Sequence, residues 1–523
     1  MTDIREQEMQ NRINALVLEK ENLTNENSYL KEQIAYLKKL AFGSRTEKTK
    51  RVMGEDIEIN LFDEAETEAK ASAPEPVIEV PAHQRRKKQK SHLEQILKDF
   101  PHEERLITLP EDERICKRCG AELISMGREK IRTEVQFIPA TVKVIDFYRE
   151  SFQCLECRKQ EHFSIEKPVM PQPVLAKSIA SPSSIAHVIT QKYQFAMPLY
   201  RQEQEWKAIG IALPRATLAN WVIRAAQDWM VPLVERMHQL LLLQPIIHAD
   251  ETPVQVLGEK GRKNKTKSYM WVFTSGEYEQ DGRQIRIYKY QPGRSGSFAG
   301  EFLKEYKGTL QTDGYTGYEQ ASCSAHALCW AHARRYFVDA VPQGLKQEEK
   351  NASISGQAVK RIDELFAVDK TLADKTPEER QQKRLRLEKD KLEAFFVWLE
   401  EVQPGALPKS ALGKAINYAL NHKEGLSVYL NDSNAALSNN ICERAIRNFT
   451  IGRKNWLFSA SPKGADASAA IYSVIETCKA NDIDPFKYLV YLFERMPNMN
   501  FKIHPEKLDT LLPWNEEIQK NCK

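Results

Sequence analysis

The feature that most restricts the fold of this chain is a series of strand-like segments in which acidic residues interrupt an apolar pattern. The first segment, QPIIHADETPVQVL, is an apolar run broken by Asp250 and Glu251. Aromatic and β-branched strand signals, then a helix and another strand, follow in the order SYMWVFTSG, QIRIYKYQPG, SFAGEFLKEY and GTLQTDGYTGY. The last of these carries Asp313, and HALCWAHARRYFVDA then predicts a short strand that leads into a basic helix.

This order of strands and helices is typical of the RNase H-like fold, in which the first and fourth strands lie side by side. Asp250 and Asp313 would then be neighbours. Two neighbouring carboxylates repel each other unless cations lie between them, and Mg²⁺ is the hard cation that suits oxygen ligands. A third carboxylate is predicted from a later helix, where Glu443 follows Ser438 or Asn439 as the N-cap.

The predicted core is divided in the sequence, with one part at 244–340 and the other at 431–476. The highly charged segment between them, residues 341–430, predicts an α-helical insertion, and residues 477–515 predict a C-terminal domain. Basic residues follow Glu443 and alternate with aromatic ones, a pattern that suits a nucleic-acid strand. The candidate DNA contacts in this segment are Arg444, Arg447, Arg453 and Lys454.

Two CxxC pairs predict a structural zinc site within residues 96–170. Tight CxxC turns supply thiolates to tetrahedral Zn²⁺, and two turns fill all four positions, so that no open position remains for catalysis. Basic neighbours suggest contact with DNA, although a purely structural ribbon explains the same pattern. The four predicted ligands are Cys116, Cys119, Cys154 and Cys157.

Leucines that recur every seven residues predict a coiled coil over residues 5–42, from Leu16 through Leu23 and Leu30 to Leu37. Met9 lies one heptad earlier, and the alternate seam positions are Ile13, Lys20, Asn27 and Ile34. Polar residues on the seam favour a defined register and a parallel dimer. A single long helix packed on its own chain is the alternative. Residues 43–95 predict a linker that is basic at its ends and acidic in between.

Residues 180–243 have a helical pattern, with two short helices around Gly210. This arrangement fits a helix-turn-helix, in which Arg215, Thr217 and Asn220 would face outward from the second helix. Helix pairs of this kind are also common in α-rich proteins that do not bind DNA. The predicted fold class is therefore multidomain α+β, with a coiled coil, a zinc ribbon, a helix-turn-helix-like region and an RNase H-like core with a helical insertion.

Composition excludes several classes of protein. Hydrophobic residues make up 41% and charged residues 28%, which excludes a fibrous or wholly disordered chain. The net charge of +4 does not by itself indicate a nucleic-acid partner. No apolar run is long enough to span a membrane, and the first residues lack a signal-peptide core, so the expected location is the cytoplasm. Cys329 and His332 form a CxxH pair that could bind a metal, but they provide only two soft ligands, so packing is the expected role of each.

Several stretches resemble transposases of the insertion sequence 66 family, and the resemblance covers nearly the whole chain. These stretches are HADETPVQVL, LQTDGYTGY, CWAHARRYF and SNNICERAIRNFTIGRKNWLFSASPKGADASAAIYSVIETCKANDIDPFKYL. The resemblance implies a catalytic triad of Asp250, Asp313 and Glu443 that holds two Mg²⁺ ions, with Mn²⁺ as a substitute. Ser438 departs from the aspartate that is more usual in the family. Cys329 and His332 match a signature of the insertion-bearing group.

The family resemblance also implies partners: DNA as element ends and target, a second copy of the chain, and two small accessory proteins of the same element. It places the protein in the bacterial cytoplasm, at the nucleoid. Three alternatives remain open from the residues. These are an RNase H-like nuclease that cuts without joining, a zinc-ribbon DNA-binding regulator without chemistry, and a zinc hydrolase that uses His248, Asp250 and His332.

Overall fold

The computed structural model describes most of the chain from residue 142 onward. The described ranges are 142–153, 165–166, 168–276, 282–342, 344 and 346–523, together with Arg12, Ala15, Leu16, Lys20 and Leu30. The chain divides into two compact units, one formed by Met1–Gly43 and Thr141–Lys523 and the other by Ser44–Ala140. The second unit lies outside the described residues, as do the linker at 43–95 and all four cysteines of the predicted zinc site.

The N-terminal residues that can be described are helical. Leu16 and Leu30, two of the predicted seam leucines, are helical and exposed. The other predicted seam residues, except Lys20, lie outside the described part, and dimerisation remains a prediction. Near Cys154, β1 (Phe152–Gln153) pairs antiparallel with β2 (Ile165–Glu166).

Four helices precede the main sheet and confirm the predicted helical pattern of this region. They are α1 (Pro182–Tyr193), α2 (Leu199–Ala208), α3 (Arg215–Ala225) and α4 (Val231–Leu241), and a π-helical turn, Ala226–Met230, joins α3 to α4. The predicted pair around Gly210 corresponds to α2 and α3. Gly210 has a φ of 101°, a left-handed conformation that glycine adopts without steric cost. Leu218 and Trp221 of α3 are buried in the larger of two apolar cores.

A mixed five-stranded sheet is the centre of the described chain. Its strands are β3 (Ile246–Gln255), β4 (Lys267–Ser275), β5 (Arg286–Gln291), β6 (Thr309–Thr312) and β7 (Ala325–Leu328), in the order β5-β4-β3-β6-β7. β4 is antiparallel to β3 and β5, whereas β6 is parallel to β3 and β7. The predicted adjacency of the first and fourth strands of this region is therefore confirmed, and the fold is mixed α+β. Helix α5 (Gly296–Phe302) connects β5 to β6, and a 3₁₀ helix, Thr316–Gln320, connects β6 to β7.

One edge of this sheet is sealed by side chains of a helix. β5 is an edge strand, and α14 (Pro462–Ala480) packs along it. The backbone N–H of Tyr288 donates to Ser473 Oγ at 2.8 Å, and that of Arg286 donates to Thr477 Oγ1 at 3.0 Å. The Thr477 hydroxyl in turn donates to the Arg286 carbonyl at 3.0 Å. Helix hydroxyls thus take the place of a sixth strand.

Between the sheet and the last core helices, the described chain is helical, as the charged pattern predicts. After α6 (Trp330–Ala340) come α7 (Gln347–Ala352), α8 (Ile354–Lys370), α9 (Pro377–Leu387), α10 (Lys389–Val402), the 3₁₀ turn Gln403–Gly405, α11 (Ala411–Asn421) and α12 (Lys423–Asn431). Their apolar faces form a second core with β7 and α6, around Trp330 and Phe395.

The chain then returns to the sheet. It ends with α13 (Asn440–Trp456), α14, α15 (Pro485–Arg495), the 3₁₀ turns Met496–Asn498 and Pro505–Leu511, and α16 (Glu516–Asn521). Within the described ranges, no helix is both long and apolar enough to cross a membrane.

The second core contains charged residues. Arg384 is fully buried and donates through Nε to Asp369 Oδ1 at 2.8 Å and through Nη1 to the Ala435 carbonyl at 2.7 Å. Glu388 lies one turn further along the chain and is also buried. Burial, reinforced by repulsion from Asp369, raises the pKa of Glu388 to about 7.

The buried carboxyl makes stability depend on pH. Because the pKa of Glu388 is higher in the folded than in the unfolded chain, the folded state binds the proton more tightly. The contribution of Glu388 to stability is therefore most favourable at low pH and falls by about 2–3 kcal/mol as pH rises from the ordinary glutamate pKa through about 7. We expect Glu388→Gln to remove this loss and to raise the thermal midpoint at pH 8 but not at pH 4. Exposed Glu401→Gln is the control, and equal effects of the two variants would contradict the assignment.

Candidate active site

Two of the predicted carboxylates, Asp250 and Asp313, lie on neighbouring segments of the sheet. The parallel pairing of β3 with β6 includes His248 opposite Gln311 as its last pair. Asp250 and Asp313 each lie two residues beyond that pair. Asp250 is in the middle of β3, just after its pairing with β6 stops, and Asp313 directly follows the end of β6. Burial raises the pKa of Asp250 well above its usual range, and repulsion from Glu251, Asp313 and Glu443 raises it further. Four acidic groups therefore lie close enough to repel one another: Asp250, Glu251, Asp313 and Glu443.

Local hydrogen bonds orient both carboxylates through one oxygen each. Asp250 Oδ1 accepts from the Glu251 N–H at 2.7 Å, and Asp313 Oδ1 accepts from the Tyr315 N–H at 3.0 Å. Gly314 forms the turn between Asp313 and Tyr315, with a φ of 91°. A Cβ at Gly314 would lie 2.9 Å from Tyr418 Oη, which donates to the Asp313 carbonyl at 2.7 Å. A larger residue would disturb this turn and with it the direction of Asp313.

Glu443 lies in the first turn of α13, as predicted. Its Oε2 is 3.7 Å from Arg335 Nη2, and its Oε1 is 3.6 Å from His332 Nδ1. Asn439 occupies the N-cap position, one of the two residues predicted for it, but its side chain does not cap the helix. This side chain is used instead to connect α13 to the sheet.

Asn439 links β3, which carries Asp250, to the start of α13, which carries Glu443. Its Nδ2 donates to the Ala249 carbonyl at 2.9 Å, and its Oδ1 lies 3.0 Å from His248 Nδ1, which therefore acts as the donor. Its backbone N–H donates to Cys329 Sγ at 3.1 Å. His248 and Ala249 directly precede Asp250, so the Asn439 amide sets the spacing between that strand and the helix of Glu443. Burial lowers the pKa of His248 to about 4, which keeps the ring neutral.

A second link holds β6 against the segment before α13. The Gln311 side chain donates to the Ala436 carbonyl and accepts from the Ala436 N–H at 3.1 Å. In addition, the Cys329 N–H donates to the Thr312 carbonyl at 3.0 Å, and the Trp330 N–H donates to the Leu437 carbonyl at 2.8 Å. The strand that leads to Asp313 is thereby fixed to the segment that leads to Glu443.

We expect Asn439→Ala to loosen this arrangement. It removes the partner of His248 Nδ1 and one bond to the Ala249 carbonyl in a buried site, which costs about 1–3 kcal/mol of stability. Because the residues that support metal ligands typically contribute 10–100-fold in affinity, Mn²⁺ bound at the carboxylates should weaken by about that factor. Thermal unfolding and Mn²⁺ titration followed by electron paramagnetic resonance measure the two effects. Exposed Asn440→Ala is the matched control, and an equal effect of both variants would show that Asn439 has no special role.

Sequence reasoning did not identify a second acidic group beside Asp250. Glu251 forms an ion pair with Arg294 and accepts from Tyr318 Oη at 2.6 Å. The Arg294 guanidinium lies 3.8 Å from the centre of the Tyr315 ring. Burial raises the pKa of Glu251 although Tyr318 and Arg294 both favour its charged form. The only sequence signal was the adjacent acidic pair, since nothing in the sequence connects Arg294 with Glu251.

The residues predicted to contact DNA have different surroundings. Arg444, Arg447 and Lys454 are exposed on α13, and Arg215 and Asn220 are exposed on α3. These positions are compatible with contact to a ligand. Arg453 is half-buried, and its Nη1 donates to the Pro253 carbonyl and to Thr252 Oγ1. Arg453 therefore also connects α13 to the end of β3.

Cys329 and His332 are joined by Glu443. One ligand atom from each of these residues lies within 4.8 Å of the other two. Within the part of the chain that the structure describes, no other trio of His, Cys, Asp or Glu side chains forms such a group. The sequence showed only two soft ligands here because the third follows more than a hundred residues later. Asp250, Asp313 and Glu443 repel one another and are less closely grouped.

Comparison with known protein families gives four matches along the chain. Residues 177–467 match the Transposase IS66 family, and residues 473–514 match the IS66 C-terminal element. Residues 113–158, which include all four predicted zinc ligands, match the zinc-finger binding domain of transposase IS66. Residues 29–105 match the Transposase C of IS166 homeodomain.

Two similar proteins come from Sinorhizobium fredii (strain NBRC 101917 / NGR234). Uncharacterized protein y4jD is 28% identical over 501 residues, which cover 93% of this chain and 94% of the relative. Uncharacterized protein y4hP is 29% identical over 509 residues, which cover 93% of this chain and 88% of the relative. No solved structure matches the chain.

Proposed function

This chain belongs to the transposase IS66 family, and we propose that it cuts the ends of a bacterial insertion sequence and joins them to target DNA through a DDE active site. The observation that carries the proposal is the position of Asp250 and Asp313 on adjacent parallel strands, with Glu443 on a helix that Asn439 connects to β3. The strand order supports an RNase H-like core.

The donor set fits hard divalent cations. Burial, and repulsion from Glu251, Asp313 and Glu443, raise the pKa of Asp250. Positive charge between Asp250, Asp313 and Glu443 would stabilise their ionised forms. Asp250 and Asp313 would hold the ions, and Glu443 would complete the set. Two Mg²⁺ ions, or Mn²⁺ as a substitute, supply activation of the attacking oxygen and stabilisation of the leaving oxygen at phosphorus.

The protein residues then position two successive reactions. Water first attacks the phosphodiester at the end of the element, and the released 3′-hydroxyl then attacks a target phosphodiester in line. Arg447 and Lys454, exposed on the helix of Glu443, would neutralise phosphates of the bound strand. Arg444 and Arg453 of the same helix would assist, and Arg215 and Asn220 of α3 would contact DNA elsewhere.

The remaining parts of the chain are assigned supporting roles. Structural Zn²⁺ would be bound by Cys116, Cys119, Cys154 and Cys157, in the region that matches the zinc-finger family. The N-terminal heptads would form a dimer, which supplies two active sites for two element ends. Two small accessory proteins of the same element are the expected further partners, and the bacterial nucleoid is the expected location.

A strand-transfer assay tests the function. Purified protein is incubated with a DNA fragment that carries the element end and with a target plasmid, in Mg²⁺ or in Ca²⁺, with and without the accessory proteins. We expect end cleavage and joined product with Mg²⁺ only. Cleavage without joining would favour a nuclease, and specific end binding without cleavage, even with the accessory proteins, would favour a DNA-binding regulator.

A further inference from the structure

We propose that Cys329, His332 and Glu443 form a binding site for a single soft divalent cation such as Zn²⁺. The site differs in chemistry from the carboxylate site, because it combines sulfur, nitrogen and oxygen donors. Zn²⁺ accepts such mixed sets, whereas Mg²⁺ prefers oxygen alone. The proposal does not depend on the transposase reaction, since metal binding alone tests it.

The distance between two of the donors carries the argument. His332 Nδ1 lies 3.6 Å from Glu443 Oε1. This is too long for a hydrogen bond, but it is close to the roughly 3.4 Å that separates two ligands on one tetrahedral zinc ion with bonds of about 2.0–2.1 Å. Both atoms are buried and have no hydrogen-bond partner. Two buried polar atoms that face each other without partners are destabilising, and a cation between them would satisfy both.

The third donor is already arranged for coordination. Cys329 is fully buried at the N-cap of α6, and His332 follows three residues later on the same side of the helix. Cys329 Sγ accepts the Asn439 N–H at 3.1 Å, and the amides of Ala331 and His332 also donate to it. Backbone donors of this kind stabilise negative charge on the sulfur. Burial nevertheless raises the pKa of the Cys329 thiol to about 11, so the thiol would lose its proton when the cation binds. With three ligands from the protein, a fourth position stays open for water.

Glu443 can take part because its other oxygen is occupied. Arg335 Nη2 lies 3.7 Å from Oε2, so Oε1 is the oxygen that faces His332. A cation at this site would therefore hold Glu443 toward α6. The Glu443 carboxylate would then be shared between this Zn²⁺ site and the proposed Mg²⁺ site.

Zinc stoichiometry tests the proposal on the full chain. The protein is loaded with excess Zn²⁺, desalted, and its bound zinc is measured by mass spectrometry. We expect two equivalents in the wild type, one in the predicted zinc ribbon and one at the new site. Cys329→Ser and His332→Gln should each retain one, whereas Cys323→Ser, which removes a half-buried cysteine outside the cluster, should retain two. Circular dichroism confirms that each variant is folded.

A second variant separates this site from the ribbon. Cys116→Ser combined with Cys119→Ser should remove the ribbon zinc and leave one equivalent that depends on Cys329. When Co²⁺ replaces that zinc, a thiolate-to-cobalt charge-transfer band should appear and should be absent after Cys329→Ser. One equivalent in the wild type, or two in both Cys329→Ser and His332→Gln, would overturn the proposal. Because these measurements report bound metal alone, a failure of this proposal can be distinguished from a failure of the strand-transfer assay.

Discussion

Asp250→Asn is expected to reduce Mg²⁺-dependent end cleavage by about 10³-fold or more. The substitution keeps the shape of the side chain and its hydrogen bond from the Glu251 N–H, but it removes the negative charge that binds the cation. Asp250 lies on the central strand, where the negative charges of Asp313 and Glu443 both act on its carboxylate. No neighbouring group can replace it, because Glu251 is already paired with Arg294 and Tyr318.

The same variant is expected to be at least as stable as the wild type without metal. The pKa of Asp250 is raised by burial and by three acidic neighbours, so its ionised form destabilises the fold. Wild-type stability therefore falls as pH rises through the raised pKa, and the neutral asparagine has no such loss. Loss of activity together with an unchanged or higher thermal midpoint would identify Asp250 as a functional residue.

Exposed Asp390→Asn, in the helical insertion, provides the matched control. It makes the same chemical change on α10 and should leave both cleavage and thermal midpoint unchanged. Cleavage by Asp250→Asn at the rate of Asp390→Asn would exclude the proposed metal site. The comparison uses the same DNA fragment, Mg²⁺ concentration and accessory proteins for all three proteins.

Arg384→Ala should destabilise the second core by about 3–5 kcal/mol, since it leaves a buried charge without its partner. The Arg384 side chain has no exposed surface and connects three elements. It pairs with Asp369 of α8 and donates to the carbonyls of Tyr429 on α12 and Ala435 after it. Removal also takes away the positive charge that lowers the pKa of Glu388.

Arg386→Ala on the same helix is the control, because Arg386 is exposed. Its effect should stay within about 0.5 kcal/mol. Thermal unfolding and limited proteolysis of the insertion report the two effects separately from catalysis. A similar loss of stability in both variants would mean that helix propensity, and not the buried pair, determines the result.

The sequence was sufficient to predict the elements and their neighbours. Apolar runs ending in Asp250 and Asp313 predicted two adjacent strands, and the parallel pairing of β3 with β6 confirms this adjacency. The position of Glu443 in the first turn of α13 was also predictable, because polar residues suited to a cap precede it. Local pattern determines these features, and the right-handed connection of parallel strands limits the alternatives.

The contacts that assemble the site were not predictable from local pattern. Asn439 was expected to cap its own helix but bonds to His248 and Ala249 of a distant strand. Arg294 and Tyr318 carry no motif that links them to Glu251. Each contact joins residues far apart in sequence through the geometry of packed elements. Single-sequence periodicity contains no information about such pairs.

The hydroxyl groups of α14 along β5 have a consequence for the colloidal behaviour of the protein. An uncovered edge strand is a template to which strands of other molecules can add, and this is a common route to aggregation. Ser473 and Thr477 occupy the polar backbone groups of Tyr288 and Arg286 that a foreign strand would need. Local unfolding of α14 would therefore expose β5 to strands of other molecules before the core itself has unfolded. We therefore expect α14 to protect the chain from aggregation through β5.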